Sequence, residues 1–215
     1  MRLSLTSLSL LAACTRDPAG SELTVTDLAA EIAPDMPTVV VASWTTSEAV
    51  VSRVVFGASG DFDRQTPLEA TPSTEHTATL VGLPPEAEVL IRVEADDVVS
   101  EPITVSTGAL PAGLPELTVE GEGAGLFLVV PMLPDDGAEI VLVDPQGRIV
   151  WHHADDSVPQ VFRARASRDG SGIVYASTLI GGLPTEESAL VRVSWDGSTV
   201  ETLPVPFLAH DFVEL

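Results

Sequence analysis

The sequence predicts an all-β protein, an antiparallel β-sandwich followed by part of a β-propeller. Short runs rich in Val, Ile and Thr alternate with turn residues from residue 22 onward, which is the pattern of antiparallel strands. In the second half, three Gly-containing turns that open on or contain Asp each join two apolar runs, as tight hairpins do. The 17 Pro and 16 Gly in 215 residues punctuate the chain often, and 45% hydrophobic against 20% charged residues is too apolar for disorder. That length suits one large domain or two small ones.

Residues 1–13 read as an export leader, with Arg2 followed by an uncharged run from Leu3 to Ala13. This run is about half of the ~20 residues a spanning helix needs, so it is too short to stay as an anchor. Leu11-Ala12-Ala13-Cys14 resembles the lipobox of bacterial lipoproteins, and that resemblance implies lipid attachment at Cys14. Residues 14–21 are then a polar tether. The expected location is the bacterial cell envelope, at the outer membrane or cell surface, with the periplasmic side as the other option. Cys14 is the only cysteine, so no intramolecular disulfide is available.

Net charge is −22, and all ten cations are Arg. Binding to nucleic acid by counterion release is excluded, and contact with anionic head groups is repulsive, which leaves the lipid as the route to the membrane. Any positive site is a fixed guanidinium fork suited to anionic oxygens.

Residues 22–108 form the sandwich, with strands expected at Glu22 to Asp27, Thr38 to Thr45, Ser52 to Gly57, Glu75 to Val81, Glu88 to Ala95 and Ile103 to Thr107. Val39 to Trp44 is apolar at nearly every position, as in a strand central to a sheet, and Trp44 is its core anchor. His76 is expected at a surface or strand edge and not as a metal ligand, because no second ligand has suitable spacing. Trp44-Thr45-Thr46, Ser52 to Gly57, His76 to Leu80, Gly82-Leu83-Pro84-Pro85 and Arg92-Val93 together resemble the landmarks of fibronectin type III domains. Val89 stands where that family places its corner tyrosine. A similar sandwich precedes the catalytic domain of purple acid phosphatases, but the Gly-Asp and Gly-Asn-His metal clusters of that family are absent.

Residues 109–115, rich in Pro and Gly, read as a linker. Residues 116–215 read as the first blades of an incomplete propeller. Hairpins are expected around Asp144-Pro145-Gln146-Gly147, Asp169-Gly170 and Asp196-Gly197, and Asp196 follows Asp144 by 52 residues, close to one blade. About two blades fit here, so the sequence is expected to be truncated after Leu215. Leu142 to Trp151, Arg168 to Gly172, Leu190 to Gly197 and His210-Asp211-Phe212 resemble the opening blades of the bacterial arylsulfotransferase family. That resemblance implies transfer of a sulfuryl group from a phenolic ester to another phenol, with aryl sulfates and phenols as partners and no cofactor. It also implies a channel-histidine role for His210, chemically apt because imidazole hydrogen-bonds sulfate oxygen or protonates a phenolate near neutral pH. The histidine that becomes sulfated is expected beyond residue 215, which would leave this chain inactive by itself.

Arg163 and Arg165 lie two apart on a strand, hence on one face, with Ala164 and Ala166 on the other, and are candidates for holding a sulfate. His152 and His153 are adjacent, point to opposite faces and are not expected to share a metal ion; no metal site is expected. Trp151 and Trp195 are expected in blade cores. Two rival readings use the same residues: a non-catalytic surface lipoprotein that binds through sandwich and propeller, and a structural module that pairs with another chain through an open sheet edge.

Overall fold

The computed structural model describes residues 22–58, 60–118, 120, 127–132, 138–156, 160–178, 186–208 and 211–214. Every regular element among them is a β-strand, and all strand pairs are antiparallel. The all-β expectation is met at that level.

Strands β1 (Val25–Ala33), β2 (Met36–Val50) and β5 (Ser73–Leu80) form one sheet in the order β1-β2-β5. The second sheet has β3 (Ser52–Ala58) and β6 (Glu88–Ala95) at its centre. Short β4 (Arg64–Gln65) lies on β3, while β7 (Val98–Val99) and β8 (Ile103–Ser106) both pair with β6. Inward residues of the two sheets meet in one core: Val40, Ala42, Trp44 and Leu80 from the first, Val54, Phe56, Ile91 and Val93 from the second. Strand β1 runs six residues past the expected end at Asp27, because its register shifts between Thr26 and Ala29 around an Asp27 with φ 54° and pairing then resumes.

The second half holds two further sheets. Strands β9 (Leu128–Met132), β10 (Ala138–Val143) and β11 (Ile149–Asp155) give the order β11-β10-β9. Strands β12 (Gln160–Ala166), β13 (Gly172–Thr178), β14 (Ala189–Ser194) and β15 (Val200–Pro204) follow one another as a meander. All three expected hairpin turns are present. The latter two share one recipe, Ser-x-Asp-Gly-Ser, at Ser167 to Ser171 and Ser194 to Ser198. In each, the Asp carboxylate accepts from the first Ser hydroxyl and from the backbone N–H of the last Ser, and the glycine takes φ near +70°, the left-handed region that a side chain disfavours.

Strand β2 ties the halves together. Its inward residues fill the first core, while Val39 on its other face, with Ala33 and Met36, joins Ile140, Trp151, Tyr175 and Val193 in a second core. Buried Thr38 donates its hydroxyl to the carbonyl of Val150, 2.8 Å away and 112 residues on. Leu110 and Leu114 of the Pro/Gly stretch pack against Val141, Val143 and Ile149. Replacing Met36 by Ala removes a buried side chain from this second core and is expected to cost about 2–5 kcal/mol. Urea unfolding followed by tryptophan fluorescence and by far-UV circular dichroism should then show one coincident transition at lower midpoint, whereas two separate transitions would contradict a shared core.

Candidate functional site

Arg163 and Arg165 do share a face of β12, opposite buried Ala164. Both guanidinium groups turn to one oxygen, Asp211 Oδ1, at 3.4 Å from Arg163 Nε and 2.7 Å from Arg165 Nη2. The segment carrying Asp211 is held beside them by three contacts. Phe212 packs on Val174 and Ala176, its ring lies 5.0 Å from the Arg165 guanidinium, and Glu214 accepts from the Arg168 backbone N–H. The fork therefore holds an anionic oxygen, supplied by the chain's own carboxylate. All three side chains are substantially exposed, so the pairs add little to stability. His210 and Cys14 lie outside the described residues.

His152 and His153 face opposite sides of β11, as strand geometry requires. His153 stacks on Trp151 and sits 3.3 Å from the Tyr175 hydroxyl, which donates to Asp155 Oδ2 at 2.6 Å. His152 Nε2 is buried 3.7 Å from Glu139 Oε1, too far for a hydrogen bond. Burial lowers the pKa of both rings, with Glu139 opposing the shift at His152 and Asp155 at His153. Burial, with Asp155, raises that of Tyr175. Among the described residues no group of three or more His, Cys, Asp or Glu is arranged to hold a metal ion.

His76 is not the surface residue expected from its sequence context. It sits on β5, an outer strand of its sheet, but its side chain points inward, is fully buried and stacks on Trp44 with ring centroids 5.1 Å apart. Nδ1 donates to Glu69 Oε2 at 2.8 Å, and Nε2 lies 2.9 Å from the Thr46 hydroxyl. The same Glu69 oxygen accepts from the Ser52 hydroxyl and backbone N–H, while Thr66 Oγ1 accepts from the Val54 N–H. Two side chains thus continue the pairing along β3 where β4 ends, closing its edge. A hydroxyl, an imidazole and a carboxylate in line have the order of a nucleophilic relay. The Thr46 hydroxyl, however, is buried, between the imidazole and the Glu48 carbonyl, each 2.9 Å away, so it is not presented to a substrate. The cluster is a structural lock. Glu69, Ser52 and Thr46 escaped the sequence reading because they lie 7, 24 and 30 positions from His76.

No family model and no curated protein matches the sequence.

Two outcomes follow from this geometry. Glu69→Ala strands two donors on Ser52 and one on His76 and should cost about 1–3 kcal/mol in urea denaturation, with Glu69→Gln recovering part because its carbonyl still accepts. For the β11 histidines, burial holds the pKa of both rings in the folded chain below the ordinary 6.5 at which the unfolded chain protonates them. The unfolded state therefore binds more protons below that value, and stability falls as pH drops from about 6.5 toward the folded-state values. Thermal midpoints measured across that range should decline on acidification, and His153→Phe should flatten part of the slope.

Proposed function

We propose that the chain belongs to an exported protein, lipid-tethered through Cys14, whose second half handles small anionic aryl compounds in sulfuryl transfer between phenols. The observation that carries this reading is the convergence of Arg163 and Arg165 on one anionic oxygen, Asp211 Oδ1. A sulfate ester presents the same kind of oxygen, and Asp211 then acts as the resident anion that substrate displaces. His210 is the group assigned to hydrogen-bond the sulfate or protonate the departing phenolate. The first pair of sheets, sharing one core, is in keeping with a fibronectin type III-like sandwich. The four-stranded meander β12 to β15 is in keeping with a propeller blade. The sulfuryl-accepting histidine is assigned to further blades of a longer protein, as the arylsulfotransferase resemblance implies.

A second reading, a non-catalytic binding lipoprotein, is favoured by one fact: Asp211 already occupies the fork. Calorimetric titration with 4-nitrophenyl sulfate addresses the anion site. Asp211→Asn should bind about tenfold more tightly than the parent chain, and Arg163→Gln with Arg165→Gln should abolish binding. Aryl sulfate ignored by parent and Asp211→Asn alike would remove the basis for both readings. Binding without transfer to phenol, in the reading frame continued past Leu215, would leave the non-catalytic one.

A further inference from the structure

A cavity of about 390 Å³ lies where the two halves meet. Phe56, Arg64 and Val81 line it from the first half, and Phe127, Leu142 and Trp195 from the second. The Arg64 guanidinium carbon is 5.1 Å from the ring centroids of both Phe56 and Phe127. Its Nη1 donates to the Gly82 carbonyl and its Nη2 to that of Val81, each at 2.8 Å. Gly82 makes this approach feasible. It has φ +80°, and a Cβ there would stand 2.6 Å from Arg64 Nη2 and 2.9 Å from the Phe127 ring.

Arg64 is half-buried, yet among the described residues no carboxylate forms an ion pair with it. Arg53 and Arg92 meet Glu94, Arg148 meets Asp144, Arg163 and Arg165 meet Asp211, and Arg192 meets Asp169. In a chain of net charge −22, a half-desolvated cation that has only carbonyls and ring faces is unusual. Burial lowers its pKa, with more distant Asp63 and Asp144 opposing. Two carbonyls leave three of its five N–H donors for a ligand.

The cavity's shape and charge define the ligand. An apolar cavity of about 150 Å³ admits benzene, so this one has room for a single ring bearing a carboxylate. A planar carboxylate matches the fork, and the aromatic walls match the ring. A second, polar chamber shares Arg64, Gly82 and Phe127 and carries Asp61, Asp63 and the Asp144–Arg148 ion pair, so its acids outnumber its cations and disfavour a second anionic group. We propose that this cleft binds a small aromatic monocarboxylate, with its carboxylate on Arg64 and its ring against Phe56, Phe127 and Trp195. The site is separate from the Arg163 and Arg165 fork.

Calorimetric titration of the chain with benzoate and with its neutral isostere benzamide tests this. The expected result is one benzoate per chain, with benzamide at least about tenfold weaker. Arg64→Gln should erase the difference, and Ala166→Trp, which adds a large ring at a residue lining the cavity and leaves Arg64 in place, should abolish binding of both. Arg163→Gln with Arg165→Gln should change nothing. The proposal is overturned by equal binding of benzoate and benzamide to the parent, by benzoate binding that survives Ala166→Trp in a folded protein, by loss of binding in the Arg163 and Arg165 variant, or by no detectable heat from benzoate. Should Arg64→Gln fail to fold, the isostere comparison and Ala166→Trp still decide.

Discussion

Burial of β2 on both faces is the constraint on which the rest of the structure depends. A strand with one covered face alternates apolar and polar residues, whereas β2 runs Val39-Val40-Val41-Ala42 without a break. One set of these side chains closes the core between the first two sheets, and the other begins the core that extends to Trp151 and Tyr175. Removing either neighbour would bare a strip of valine. The Thr38 to Val150 hydrogen bond fixes how the halves meet, and the cleft lined by Arg64 exists only because they meet there.

Charge is organised by the same economy. With few cations among many carboxylates, six of the eight described arginines pair with an acid, from their own turn or strand or from a neighbouring one. Arg192 reaches Asp169 in the adjacent Ser-x-Asp-Gly-Ser turn, and the Trp195 indole N–H donates to the Gly170 carbonyl of that same turn at 2.7 Å. The two turns at that end of the meander are thereby locked together. Arg64 stands apart, stacked on rings instead of paired with a carboxylate, and that contrast singles out its surroundings.

Local rules made much of the fold legible. The Asp-Gly turns stand out because a glycine in the left-handed region after an Asp is specified by the turn itself, and Arg163 and Arg165 share a face because strand side chains alternate. Elements that depend on distant partners were hidden. Leu28 to Ala33 is rich in Leu, Ala and Glu, which favour helix, and becomes strand only because β2 lies beside it. Pro131 discourages a strand assignment for β9, and is tolerated because among the described residues β9 is an outer strand pairing only with β10. The pairing of Asp211 with an arginine fork 46 residues earlier, and the inward turn of His76, follow from tertiary packing that no local spacing encodes.

The two-sided strand also sets a problem of timing. A chain is made from its amino terminus at about 5–20 residues per second, so the first two sheets are complete roughly five seconds before β11, the strand of the second half that meets β2, begins to emerge. During that interval the outer faces of Met36, Val39 and Val41 meet water, or whatever apolar surface is nearest. An amino-terminal half that looks self-sufficient is thus a nascent chain with an adhesive flank, which stays adhesive until the second half packs against it.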